Sequence, residues 1–164
     1  MDIQAIWFNF YDTIVNHYFD FRGRVGRAQF WYFVLASLVL SLLVGILQAA
    51  TWLPLAALFH LAILLPSVGM GARRLQDTGR DGRMVWLLFL LMAATQIAAI
   101  LTTMAVVLTG FLGLIFAPGL GLAGAATLVV CIVLLYFWVQ PGDAHENAYG
   151  PPPPRFDPAV KPAS

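Results

Sequence analysis

Apolar positions run along this chain in two long blocks set apart by short charged segments. No residue from Ala28 to Ala72 is charged, and none from Met84 to Gly142, which makes blocks of 45 and 59 residues. Wound into helix at ~1.5 Å per residue, they would reach roughly 68 and 88 Å, whereas a bilayer core is ~30 Å thick. Each block therefore crosses twice. Gln48, Thr51, Trp52 and Pro54 interrupt the first block, which predicts spans at 30–48 and 54–72. Thr109, Gly110, Gly113, Pro118, Gly119 and Gly121 interrupt the second, where glycine and proline disfavour helix, and its spans fall near 84–108 and 121–140. Phe111, Leu112, Leu114, Ile115 and Phe116 are apolar enough for lipid, so 109–120 is either a turn or a re-entrant segment.

Ahead of the first span, residues 1–20 lack the ordered basic, apolar and small-residue regions of a signal peptide. As a helix they place Ile3, Trp7, Phe10, Ile14 and Tyr18 on one side and Asp2, Asn9, Thr13, Asn16 and Asp20 on another. That spacing predicts an amphipathic helix lying in the bilayer interface or docked on the spans. The membrane domain takes up 21–142. Residues 143–164 read as a tail, extended or disordered from Gly150 onward, because Pro151 to Pro154, Pro158 and Pro162 cannot support regular structure.

Composition agrees with a membrane as solvent, since 60% of the 164 residues are hydrophobic, 10% are charged and mean hydropathy is +0.81. A soluble domain carries about a quarter charged residues. The net charge of +1 gives no surplus of cations for a nucleic-acid partner, and Cys131 alone excludes both an intrachain disulfide and a cysteine metal cluster.

Charge placement says more than charge number. Arg22, Arg24 and Arg27 precede the first span, and Arg73, Arg74, Arg80 and Arg83 lie between the second and third, while the turns near 49–53 and 109–120 hold no Lys or Arg. The positive-inside bias then predicts that both termini and the 73–83 segment are cytoplasmic. Trp31, Tyr32, Trp52, Trp86, Tyr136 and Trp138 fall near the expected interfaces as an aromatic belt.

Three segments flank the spans in a recognisable order: FDFRGRVGRAQFWYF at Phe19 to Phe33, RRLQDTGRDGR at Arg73 to Arg83, and PGDAHENAYGPPP at Pro141 to Pro153. Together they resemble the domain of unknown function 805 family of small bacterial inner-membrane proteins. The resemblance implies a four-span protein of the bacterial inner membrane and brings no activity or cofactor with it. The chain departs from the family pattern at Gln76, where a His is usual, at Asp81 (Ser), at Arg83 and Met84 (a Trp pair) and at Ala148 (Arg). Glutamine does not titrate, so proton chemistry at position 76 is closed to this chain.

The arginines carry the candidate chemistry. Asp77 and Asp81 lie three to four residues from Arg73, Arg74, Arg80 and Arg83, with Gly79 and Gly82 free to turn between them. One reading is a loop ordered by salt bridges; the other is an anionic-lipid site in which Arg22, Arg24 and Arg27 join those four arginines on phosphate. Inside the spans, His60 and Gln96 each lie twelve residues, ~18 Å, from the expected cytoplasmic end and form a candidate polar pair. Ala117, Gly121 and Ala125 recur every fourth position and suit close approach to a neighbour, in this chain or in a homo-oligomer. Neither Gly-x-Ser-x-Gly nor a Gly-Lys-Ser/Thr phosphate loop occurs, and no acid, base or metal ligand set is present for catalysis. The expectation is an all-α, four-span integral membrane protein in two hairpins, non-enzymatic, structural or binding a partner or lipid, without cofactor. A small transporter or channel is the alternative.

Overall fold

The computed structural model describes residues 3–51, 53–109 and 117–154. These form α1 (Ile3–Asn16), α2 (Arg27–Thr51), α3 (Leu55–Asp77), α4 (Met84–Thr109) and α5 (Ala117–Val139), with no strand among the described residues. Asp2, Trp52, residues 110–116 of the interrupted segment, Pro158 and Pro162 lie outside them. The last four helices are each long and apolar enough to cross a membrane. Hydrocarbon offers backbone groups no water, so a run of Leu, Ala, Val and Ile is stable there only as a helix that bonds its own N–H and C=O groups. The outward residues follow the same logic. Leu38, Leu42, Leu43, Ile46 and Leu47 of α2 are exposed, as they are when lipid is the solvent.

The chain packs as two units, Met1–Gly82 with Gln140–Ser164, and Arg83–Val139. In the first, α2 and α3 form an antiparallel hairpin, and His60 Nε2 lies 3.4 Å from Ser41 Oγ across it. At the hairpin turn Gln48 accepts the Ala56 N–H at 2.9 Å, satisfying one of the orphan donors at the start of α3. Pro66 inside α3 deprives the Ala62 carbonyl of its helical donor. The Tyr18 hydroxyl supplies the missing bond, donating to Ala62 O at 2.7 Å. In the second unit α4 and α5 pack along each other, and Thr95 and Thr127 meet through their hydroxyls at 2.9 Å.

Each hairpin thus has a polar pair of its own, and the two residues singled out in the sequence, His60 and Gln96, fall in different units. His60 partners Ser41 within the first hairpin, whereas Gln96 is exposed on α4 and its neighbour Thr95 makes the interhelical bond there. Thr and Ser side chains are short and reach only across a close helix contact.

Helix α1 is amphipathic, and the side that carries Asn9 and Thr13 is the one that docks on the spans. Its docked face consists of Ala5, Ile6, Asn9 and Thr13, with the Asn9 amide donating to Gln29 O at 2.8 Å and Phe10 stacked on Phe33. Asn9 and Thr13 are thus buried, while Ile3, Trp7, Tyr11 and Val15 face outward. The donors of both buried polar side chains find acceptors, Thr13 donating to Asn9 O at 2.8 Å, while Asn9 Oδ1 makes no hydrogen bond.

Candidate functional site

The polar core of the first unit gathers at the C-terminal end of α3. That helix runs on past the uncharged block to Asp77 and stops in a Schellman turn: Gly79 N–H donates to Gln76 O at 3.1 Å and Arg80 N–H to Leu75 O at 3.0 Å. The turn needs a left-handed residue after the cap, and Gly79 supplies it at φ +70°. An aspartate in the last turn of a helix opposes the helix dipole. Asp77 is stabilised there by two arginines. Arg24 Nε donates to Oδ1 at 2.9 Å, and Arg74 Nη1 donates to Oδ2.

All three side chains are enclosed, with relative exposures of 1% for Arg24, 0% for Arg74 and 4% for Asp77. The rest of the arginine donors go to backbone. Arg24 Nη1 donates to His145 O at 2.8 Å and Gly150 O at 3.1 Å, and Nη2 donates to Asp143 O and to Asp77 O. With Nε on Asp77, the five N–H donors of this guanidinium are all committed. Arg74 Nη2 donates to Gln140 O. The Asp77 carbonyl, left free by the helix end, also accepts the Asp143 N–H at 2.8 Å.

Asn147 completes the arrangement from the other side. Its amide donates to Gln76 O at 3.0 Å and Asp143 Oδ2 at 2.8 Å, and its Oδ1 accepts the Tyr149 N–H at 2.9 Å. That turn closes with paired backbone bonds between Asn147 and Gly150, and Gly150 holds φ +115°. The Gln76 side chain donates to Phe21 O at 3.0 Å, so a non-titrating residue there serves to hold the 20–25 segment on α3.

The structure therefore divides the seven candidate lipid arginines. Arg24 and Arg74 are spent inside the knot. Arg73 is also buried, with Nη2 3.2 Å from the Met70 sulfur and its Nε unbonded. None of these three reaches a headgroup, because burial within protein removes them from the surface. Arg22, Arg27 and Arg83 are exposed and Arg80 is half-buried. Asp77 is an interior ion-pair partner rather than part of an exposed loop, and Asp81 is half-buried. The segment 143–150 is likewise not a loose tail: it is anchored by Arg24 and Asn147, and it packs with the N-terminal segment rather than following the membrane domain as an appendage. Sequence reasoning missed Asn147, Asp143 and Gly142 as structural residues, although the PGDAHENAYG motif that contains them was the available signal.

Chemically, the knot commits all five Arg24 donors and both Asp77 carboxylate oxygens, and it leaves the buried Gln76 Oε1 without a hydrogen bond. Among the described residues, no three His, Cys, Asp or Glu side chains gather where they would hold a metal ion.

Comparison with known proteins places this geometry in a family. A family model described as "Protein of unknown function (DUF805)" matches residues 18–151, which takes in the first two motifs, the third as far as Pro151, and both ends of the knot. Inner membrane protein YhaI of Escherichia coli (strain K12) is 32% identical over 82 residues, 48% of this chain and 70% of the relative. Inner membrane protein YhaH of the same strain is 28% identical over 80 residues, 44% of this chain and 66% of the relative. Uncharacterized protein YiiR of that strain is 29% identical over 144 residues, 84% of this chain and 88% of the relative. No solved structure matches. With its four apolar helices, the Arg24–Asp77–Arg74 knot and a match over 18–151, the chain belongs to the DUF805 family of membrane proteins.

Proposed function

We propose that this is a non-catalytic membrane protein, cytoplasmic at both termini, whose free surface arginines bind anionic phospholipid headgroups. The observation that carries the reading is the contrast between neighbours in one short segment. Arg24 is buried with every donor committed, while Arg22 and Arg27 on either side of it are exposed and make no hydrogen bond or ion pair among the described residues. A guanidinium without a protein partner at the start of a membrane span is suited to phosphate. The orientation rests on the same arginines together with Arg73, Arg74, Arg80 and Arg83, set against two turns that contain no basic residue.

Each basic residue close to an anionic leaflet contributes about 1 kcal/mol, so Arg22→Gln with Arg27→Gln is expected to weaken phosphatidylglycerol or cardiolipin retention by ~2 kcal/mol. Native mass spectrometry of parent and double variant at low salt reads this directly. Equal retention by both, with unchanged helicity, would leave these arginines as orientation signals only.

Orientation has its own measurement. In a Cys131→Ser background, Arg22→Cys is expected to react with a membrane-impermeant maleimide only after the inner membrane is opened, and Leu53→Cys in intact spheroplasts. The reverse pattern would turn the protein over.

A further inference from the structure

We infer that α1 is a foot embedded in one leaflet, with Ile3, Trp7, Tyr11 and Val15 lying among the acyl chains on the side where α2 begins and α3 ends. The first support is its direction. Along α1 the contacts step sideways from one span to the other: Asn9 bonds Gln29 O and Phe10 stacks on Phe33, both of α2, and then the Thr13 hydroxyl lies 3.9 Å from the Met70 sulfur of α3. Depth hardly changes meanwhile. Gln29 and Phe33 lie two and six residues inside Arg27, and Met70 lies four inside Arg74, so all three are roughly 3–9 Å below the arginine level at ~1.5 Å per residue. A helix that crosses two upright spans at nearly one level lies in the plane of the membrane.

Polarity around its circumference gives the second support. The docked face is occupied by α2 and α3, and the opposite face repeats an apolar or aromatic residue every fourth position, all four exposed. The two flanks differ. Phe10 and Ile14 occupy one, while Asp12 and Asn16, bonded to each other at 2.8 Å, occupy the other. Phe10 meets Phe33, four residues deeper in α2 than the Gln29 that Asn9 meets, so the apolar flank points toward the bilayer centre and the polar flank toward water. An interfacial helix requires that gradient. The lipid-facing surfaces of α2 and α3 adjoin this face, which makes acyl chains its occupant rather than a soluble protein.

Site-directed spin labelling of the full chain in lipid nanodiscs tests the inference in a Cys131→Ser background. Labels at Trp7→Cys, Tyr11→Cys and Val15→Cys are expected to show an oxygen-to-nickel-chelate accessibility ratio severalfold above that at Asn16→Cys. High nickel accessibility at the three stripe positions would overturn the inference in favour of a water-facing helix. Low accessibility to both reagents would overturn it in favour of a second copy or another protein covering the stripe. Repeating the measurement in discs of phosphatidylcholine alone separates this result from headgroup binding, since acyl-chain contact persists without anionic lipid.

Discussion

Asp77→Ala is expected to destabilise the first unit by about 3–5 kcal/mol, the range found when one partner of a buried ion pair is removed and the other charge stays behind. Here two charges stay behind. Arg24 and Arg74 are almost fully enclosed, and neither can reach water without pulling residues 140–150 away, because the same guanidinium groups donate to carbonyls of that segment. Asp77→Asn is expected to fall between the variant and the parent, since it keeps the shape and one acceptor while losing the charge. Glu146→Gln, at an exposed position, should lie within ~0.5 kcal/mol of the parent. Equilibrium unfolding in mixed micelles measures all three, and a parent-like Asp77→Ala would mean that the carbonyl bonds alone hold the arginines.

Gly142→Ala carries the second large effect, because a methyl group built on Gly142 falls inside the Asp77 carboxylate. Neither side can move cheaply. The Asp143 N–H is bonded to Asp77 O at 2.8 Å, and Gln140 O receives Arg74, so the backbone on both sides of Gly142 is fixed to the knot. Overpacking of this kind costs ~1–3 kcal/mol. The strain is expected to be relieved by release of the 140–150 segment rather than by unfolding of α2 and α3. Hydrogen exchange should therefore quicken roughly 10- to 100-fold at Asp143, Asn147 and Gly150 while the α2 amides keep their protection. Parent-like exchange at those three amides would show that the segment is held by something other than the knot.

Much of the architecture was readable from charge placement alone. Lipid tolerates few charged side chains, so two uncharged blocks of 45 and 59 residues nearly dictate four crossings. The link between Arg74 and Asp77 was also within reach, as a pair three residues apart on one helix. The reach of Arg24 to Asp77 across 53 residues was not, and most of what the two arginines bind is backbone carbonyl, which every residue possesses and no sequence pattern marks. That is why arginines expected to meet lipid phosphate turned out to be interior. The docked face of α1 was hidden for a related reason: alternation shows that a helix has two faces, and only packing shows which of them docks. Asn9 points inward because Gln29 presents a carbonyl to it, a fact of assembly rather than of composition.

The knot also has an order of events built into it. Arg24 and Gly150 are 126 residues apart, so at ~5–20 residues per second a ribosome needs roughly 6–25 s to make the second after the first. Throughout that interval the Arg24 guanidinium lacks its Asp143, His145 and Gly150 acceptors, and Arg74 lacks Gln140. Both remain hydrated cations while the spans are being threaded. The same side chains are thus free charges before that point and neutralised ties once translation has delivered residues 140–150. A nascent chain halted before Gln140 would carry an N-terminal hairpin with its clasp still open.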